Sequence, residues 1–131
     1  MYSPTVMEHF GNPRNVGKPS GEFVTGLAGK IEEGPFMVLY IGVEDSRIAR
    51  VGFQTYGCGP TIASGSLLTE LIKGRRCDEA LAITPEQLIE QLGGLPLGKR
   101  HCAEIAIAAL ANGLRAVASV GHESANDNNG K

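Results

Sequence analysis

Two of the three cysteines stand at positions that favour thiol chemistry. Cys58 lies in the run Tyr56-Gly57-Cys58-Gly59-Pro60, between a predicted strand and a predicted helix, and Cys102 follows Lys99-Arg100-His101 at the start of another predicted helix. The free N–H groups and the dipole of a helix N-terminus stabilise the thiolate, which is the form that binds metal or attacks sulfur. We therefore expect a lowered pKa at Cys58 and Cys102, and a shared site if folding brings the two sulfur atoms together.

The alternative for each cysteine is a purely structural role, as a small buried hydrophobic residue. We interpret Cys77 in this way, as structural or exposed, because no other reactive group converges on it in the sequence. His101 is adjacent to Cys102, and neighbours in a regular helix point about 100° apart. The looser geometry of a first helical turn allows both to reach one metal ion, and the alternative for His101 is an exposed histidine at the helix start.

Length, composition and charge indicate which classes of protein this chain resembles. The 131 residues fit one domain, and a formal net charge of −2 gives no basic excess for nucleic acid or an anionic membrane. The N-terminus lacks the pattern of a secretory signal, and the most apolar stretch, residues 105–111, is too short to span a bilayer. We expect a cytoplasmic protein, where thiols stay reduced and an odd cysteine count points to metal or thiol chemistry rather than to disulfides.

The elements that must position these cysteines follow from periodicity and capping residues. Alternating apolar residues predict an antiparallel β-meander that is polar on one face and needs helices over the other. Its strands are residues 23–27, 36–43 and 47–56, with Ala49, Val51 and Phe53 predicted on one face of the last strand. Cap residues and a 3.6-residue period predict helices over residues 3–11, 60–73, 78–83, 85–92 and 99–120. Strands followed by helices indicate an α+β fold. Residues 121–131 are rich in Asn, Gly and Ser, which predicts a disordered tail.

Several runs of the chain, in the same order, resemble the iron–sulfur scaffold proteins of the NifU N-terminal/IscU family. They are residues 12–17 (Asn-Pro-Arg-Asn-Val-Gly), residues 55–59 (Thr-Tyr-Gly-Cys-Gly), Leu95-Pro96, Lys99 and His101-Cys102. The likeness covers residues 2 to about 118. It implies a scaffold domain over residues 1–120, built from a three-stranded antiparallel sheet packed with helices, including a long C-terminal helix, with the metal site at one end.

The resemblance also implies a function. The family builds nascent [2Fe–2S] clusters from iron and from sulfur passed on by a cysteine desulfurase, and it delivers them to recipient apoproteins without being an enzyme. Cys58, Cys102 and His101 match residues of its site. A further cysteine normally lies in an Ala-Cys-Gly-Asp loop before the first long strand, but here Glu33 falls at the cysteine and Pro35 at the aspartate.

Replacement of a cysteine by Glu33 changes the chemistry that the site favours. Cluster iron prefers thiolate sulfur, with histidine as an occasional replacement. A carboxylate is a harder ligand, so a set of Glu33, Cys58, His101 and Cys102 has the number and types of donor for tetrahedral Zn²⁺, and for Fe²⁺. The alternative for Glu33 is a solvated loop carboxylate.

Three functions remain open at this stage. The first is a scaffold or carrier that holds iron or a [2Fe–2S] cluster, and the second is a zinc-dependent protein that takes persulfide from a cysteine desulfurase. The third is a cluster-less paralogue that acts as a binding module. Residues 95–99 (Leu-Pro-Leu-Gly-Lys) depart from the family's Leu-Pro-Pro-Val-Lys segment, which argues against recognition by a dedicated Hsp70-type chaperone. The family also allows a homodimer that shares one cluster.

Overall fold

A computed structural model describes the backbone of residues 2–130 and the side chains of this range other than Ile31 and residues 119–130. In chain order the elements are α1 (Pro4–Gly11), β1 (Val24–Gly29), a first 3-10 turn (Ile31–Glu33), β2 (Phe36–Glu44), β3 (Arg47–Tyr56), α2 (Gly59–Ile72), α3 (Cys77–Leu81), α4 (Pro85–Gln91), a second 3-10 turn (Leu97–Lys99) and α5 (Arg100–Gly130). This confirms the predicted α+β class with a long C-terminal helix. α5 continues past its predicted end at residue 120 through residues 121–130 of the predicted tail, where the structure describes the backbone but not the side chains.

The sheet is antiparallel throughout, in the order β1-β2-β3. β2 and β3 form a hairpin through Asp45 and Ser46, which both have a positive φ, as a tight turn with the right-handed twist of a hairpin requires. The register between β2 and β3 shifts at Gly42/Val43, so that Val43 pairs with Ile48 and Ala49 is an extra residue. This bulge corrects the predicted alternation: Ile48 is fully buried and Ala49 only half-buried, because the additional residue reverses the faces beyond it.

One face of the sheet packs against α2 and α5. The hydrophobic core contains Met37, Leu39 and Phe53 of the strands together with Leu68 of α2 and Leu110 of α5. All five side chains are almost completely buried. α5 crosses β1 so closely that a Cβ added to Gly26 would lie 2.1 Å from the carbonyl oxygen of Ala109. The position of the long helix, and with it the cysteine in its first turn, therefore depends on a strand residue without a side chain.

The outer edge of β3 is covered by two loops. The N–H of Gly17 donates to the carbonyl of Phe53 at 2.8 Å, and the N–H of Phe53 donates to Asn15 at 2.9 Å. Farther along, the N–H of Ile48 donates to the carbonyl of Arg75 at 2.8 Å. These bonds satisfy the backbone of a strand that would otherwise be an open edge, and they hold the strand that leads directly to Cys58.

A buried polar cluster fixes α1 against α2. His9 is 5% exposed; its Nδ1 lies 2.7 Å from the hydroxyl of Ser66, and its Nε2 lies 3.6 Å from the carboxylate of Glu70. The N–H of Arg14 donates to the same Ser66 hydroxyl at 2.9 Å. The Ser66 hydroxyl has one proton, which it can donate to Nδ1 of a neutral His9. Burial, together with the charge of Arg14, lowers the pKa of His9, although Glu70 and Glu8 act in the opposite direction.

Within the part of the chain that the structure describes, no helix combines the length and the apolar character needed to cross a membrane.

We predict that Gly26→Ala destabilises the fold by about 2 kcal/mol or more, because the new methyl group clashes with the backbone of α5. Urea unfolding followed by circular dichroism measures the effect. Gly11→Ala is the matched control, since a Cβ at the end of α1 meets nothing within 4 Å. Equal unfolding midpoints for the two variants would contradict the packing of α5 on β1.

We also predict that acid loosens the His9 cluster. The pKa of His9 is lowered on folding, so protonation favours the unfolded chain. The contribution of neutral His9 to stability is complete above about pH 6.5, the usual value, and is lost as the pH falls through the lower folded pKa. The free energy of unfolding should therefore decrease below pH 6.5, and His9→Asn should flatten this part of the profile. His101→Asn, at an exposed histidine, is the matched control.

Candidate metal and thiol site

Cys58 caps the N-terminus of α2. Its backbone is extended (φ −84°, ψ 177°), and its carbonyl accepts the first helical bonds, from the N–H groups of Thr61 at 3.0 Å and Ile62 at 3.1 Å. Gly57 before it has no room for a side chain, because a Cβ there would lie 2.9 Å from the Thr61 hydroxyl and 3.0 Å from Pro35. The tight strand-to-helix junction was predicted, and it leaves the Cys58 thiol half-buried at the protein surface.

Cys102 lies in the first turn of α5, and its side chain is completely buried. The second 3-10 turn leads directly into this helix, with the N–H of Lys99 donating to Pro96 at 2.8 Å. The sequence pattern predicted only a loop there. Lys99, the last residue of this 3-10 turn, contacts Cys58 through its ammonium group.

Folding brings the two sulfur atoms together. The Sγ atoms of Cys58 and Cys102 are 3.8 Å apart, although 44 residues separate them in the chain. This distance is far longer than a disulfide bond of about 2.05 Å, so the thiols are free. It matches the separation of about 3.8 Å between two sulfur atoms that each bind one tetrahedral ion at about 2.3 Å. The pair is therefore spaced to share a single metal ion.

Two nitrogen groups flank the sulfur pair. The Nε2 atom of exposed His101 lies 3.8 Å from the sulfur of Cys102, so adjacent residues in a first helical turn do reach the same place. The ammonium group of Lys99 lies 3.8 Å from the sulfur of Cys58. Lys99 stands three residues before Cys102, and its charge acts on both thiols, although its ammonium group contacts that of Cys58.

Thr61 is the site residue that the sequence analysis missed. Its hydroxyl lies 3.2 Å from the sulfur of Cys102 and 3.5 Å from that of Cys58, and the residue is fully buried. The available signal was its spacing: the third residue of a helix faces back towards the cap residue. Thr61 stands three residues after Cys58 and so occupies that position.

The two thiols have opposite electrostatic environments. Burial acts to raise the pKa of Cys58, but the hydroxyl and backbone N–H of Thr61, the Cys102 thiol and the Lys99 ammonium together lower it below its usual value. Burial raises the pKa of Cys102 to about 11, and the nearby charge of Cys58 adds to the rise, against the Thr61 hydroxyl and Lys99. The expected lowering therefore holds for Cys58 and is wrong for Cys102, because burial outweighs the helix N-terminus.

Glu33 ends the first 3-10 turn, and its carboxylate points to solvent. The side chain is 69% exposed and lies 3.9 Å from the ammonium group of Lys30. Its loop nevertheless borders the site, because Pro35 packs against Gly57 beside Cys58. Among the described residues, no group of three or more His, Cys, Asp and Glu side chains is arranged to hold a metal ion. A metal site of Cys58, Cys102 and His101, with Glu33 as a fourth ligand, thus stays a prediction.

Cys77 is remote from this pair. It begins α3, beyond the C-terminal end of α2, whereas Cys58 caps the other end of that helix about 20 Å away. Burial and the charge of Asp78 raise the pKa of its thiol, against the charge of Arg76. Its surroundings agree with a structural interpretation.

Comparison with curated proteins finds scaffold proteins of similar sequence. The chain is 47% identical over 110 residues to "Iron-sulfur cluster assembly scaffold protein IscU 1" of Archaeoglobus fulgidus, covering 84% of this chain and 72% of that protein. It is 45% identical over 109 residues to the IscU scaffold protein of Haemophilus influenzae, covering 80% and 86%. Nitrogen fixation protein NifU of Azotobacter chroococcum is 43% identical over 104 residues, and the chain spans 34% of that longer protein.

Solved structures share the fold. A proposed iron–sulfur cluster assembly scaffold protein for the SUF system of Fervidobacterium islandicum AW-1 superposes with a TM-score of 0.68 at 21% identity, over 86% of this chain and 96% of that one. The N-terminal part of a NifU-like protein from Brucella abortus gives a TM-score of 0.56 at 17% identity, over 86% and 80%. The family model for the NifU-like N terminal domain matches residues 1–120. The sheet, the sulfur pair between two helix N-termini and these matches together establish that the chain belongs to the NifU-like N-terminal domain family.

Proposed function

We propose that this protein is an iron–sulfur cluster assembly scaffold whose cargo is bound through Cys58 and Cys102. The separation of 3.8 Å between the two sulfur atoms carries the proposal, because it is the spacing that two thiolates adopt on one iron ion. The IscU names of relatives at 45–47% identity support the same role. In this role the protein is not an enzyme, since it holds and hands on its cargo rather than turning over a substrate.

The residues of the proposed site have different roles in metal binding. The thiolate of Cys58 is stabilised by Lys99 before any metal arrives, and it is the better exposed of the two sulfurs. Cys102 must lose its proton when iron binds, so loading releases a proton and becomes tighter as the pH rises. His101, beside Cys102, supplies the third donor. A labile [2Fe–2S] cluster or single iron ion bound by so few protein ligands is suited to transfer.

The remaining ligand positions can be filled in two ways. Glu33 is proposed as the fourth donor for Fe²⁺ or Zn²⁺, since its loop packs against Gly57 beside Cys58 through Pro35 and its carboxylate is exposed. A second copy of the chain, which shares the cluster in a homodimer, is the other source. Both arrangements leave the cluster accessible to recipient apoproteins.

The proposed partners follow from this role. A cysteine desulfurase supplies the sulfur, and recipient apoproteins accept the finished cluster. In residues 95–99 the exposed Leu97 and Gly98 stand where the family's chaperone segment has its second proline and its valine. We therefore propose no dedicated Hsp70-type chaperone. Three unpaired thiols fit a reducing cytoplasm.

A second candidate is persulfide transfer assisted by zinc, and the environment of Cys58 favours it. A half-exposed thiol with a lowered pKa beside an ammonium group is a suitable nucleophile. Its thiolate would attack the outer sulfur of the desulfurase persulfide, forming a Cys58 persulfide and releasing the desulfurase thiolate. A colourless protein that holds one zinc ion and stimulates a desulfurase would favour this function over the scaffold.

We predict that anaerobic incubation with ferrous iron and sulfide gives the wild-type protein the visible absorption of a bound cluster. Cys58→Ala and Cys102→Ala should each lose most of it, because one thiolate cannot hold the iron. Cys77→Ala is the matched control and should load as the wild type does. A colourless wild-type protein without iron, zinc or desulfurase stimulation would leave the cluster-less binding module instead.

We further predict that the metal-free thiols react with iodoacetamide at very different rates. At pH 8 Cys58 should be modified at least tenfold faster than Cys102, because a pKa of about 11 leaves almost no thiolate on the buried sulfur. Lys99→Met should slow the modification of Cys58, since the ammonium group no longer favours the thiolate. Mass spectrometry of peptides follows each cysteine, with Cys77 as an internal reference. Faster modification of Cys102 than of Cys58 would contradict this assignment.

A further inference from the structure

The hydroxyl group of Thr61 has unusual partners for a buried helical residue. Within the described side chains, its only hydrogen-bonding contacts are the sulfur atoms of Cys102 at 3.2 Å and Cys58 at 3.5 Å. Thr61 is completely buried, so water does not replace these partners at the surface. The Thr61 hydroxyl therefore has only the two sulfur atoms as hydrogen-bonding partners among the described side chains.

Other buried hydroxyls of α2 behave differently. Ser64 donates to the carbonyl of Pro60 at 2.7 Å, and Thr69 donates to the carbonyl of Ser66 at 2.6 Å. Such bonds to a carbonyl in the preceding turn are the usual solution for serine and threonine inside a helix. Thr61 is the third residue of α2, and the carbonyl three positions before it, of Cys58, already accepts the N–H groups of Thr61 and Ile62. Among the described contacts the Thr61 hydroxyl bonds to no carbonyl and points to sulfur instead.

The strength of this contact depends on the state of the sulfur. A thiol is a weak acceptor, and a buried hydroxyl bonded only to thiols is poorly satisfied. A thiolate accepts a charge-assisted hydrogen bond, which is shorter and about twice as strong. Thr61 is consequently best satisfied when one of the two sulfurs is an anion, as it is when bound to metal.

The donors around the pair are also divided between the two sulfurs. Lys99 approaches only Cys58 among the described contacts, at 3.8 Å, and the hydroxyl of Thr61 lies closer to Cys102 than to Cys58. A hydroxyl has one proton to donate and can serve one sulfur at a time. Each sulfur atom thus has its own donor, a cation for the half-exposed one and a neutral hydroxyl for the buried one.

We propose that Thr61 is a positioning residue of the metal-loaded site: it donates a hydrogen bond to the Cys102 thiolate and holds that sulfur at the distance from Cys58 that one ion requires. The proposal rests on the proposed function, because it assumes that the sulfur pair binds metal. Thr61 would then influence both the metal affinity and the electronic structure of the Cys102 sulfur without being a metal ligand itself.

Cobalt(II) is the probe for this proposal, because sulfur-to-cobalt charge transfer in the near ultraviolet reports on bound thiolates directly. Anaerobic Co²⁺ titrations compare the wild type with Thr61→Val, which keeps the shape but removes the hydroxyl, and with Thr61→Ser, which keeps the hydroxyl. Thr69→Val is the matched control, since it makes the same change in the same helix at a hydroxyl whose partners are the Ser66 carbonyl and the Asn15 amide rather than sulfur.

We expect Thr61→Val to bind Co²⁺ roughly tenfold more weakly, the loss typical of a hydrogen bond to a charged group. Its charge-transfer band should move to lower energy, because the hydrogen bond no longer lowers the energy of the sulfur lone pairs. Thr61→Ser should restore the band position, and Thr69→Val should match the wild type. A merely structural role for Thr61 would not move the band.

The outcomes separate this proposal from the proposed function. If the wild type gives no thiolate charge transfer with Co²⁺, both are overturned. If the wild type gives it and loses it in Cys58→Ala, while Thr61→Val has an unchanged band and affinity, the metal site stands and the role of Thr61 is overturned. Thermal unfolding of the metal-free variants verifies their fold, and Thr61→Ala replaces Thr61→Val if the valine does not fit.

Discussion

The packing of α2 against α5 determines whether the two sulfur atoms can share an ion. Cys58 and Cys102 each belong to the start of one of these helices, so a small displacement of either helix changes the separation of 3.8 Å. Ala63 on α2 and Ala103 and Ala106 on α5 are completely buried in the core, and such small side chains allow two helices to approach closely. The proximity of the two sulfur atoms is therefore a consequence of core packing, and it depends on an intact core.

The same proximity explains the unequal thiols. Two thiolates at this distance repel each other, and only one of them has a cation beside it. The free protein therefore keeps one sulfur as the more acidic group and the other as a protonated, buried thiol. In the proposed function, a metal ion would stabilise both thiolates by adding positive charge between the two sulfur atoms.

The predicted replacement of a family cysteine by Glu33 concerns the edge of the candidate site. In the structure the Glu33 carboxylate lies near Lys30 in solvent, while the neighbouring Pro35 packs against Gly57 beside Cys58. The predicted replacement would exchange a soft sulfur donor for a hard oxygen donor at this edge.

The sequence by itself determined the local structure. Ser3-Pro4 and Thr84-Pro85 begin helices where their capping residues indicated, β3 has its predicted bounds, and both site cysteines stand at helix N-termini. These features depend on neighbours along the chain. Only the tertiary structure decided the bulge that buries Ile48, the raised pKa of Cys102 and the contact of Thr61 with both sulfurs. The bulge depends on how β2 pairs with β3. The burial of Cys102 and its contact with Thr61, 41 residues away, exist only after the helices have packed.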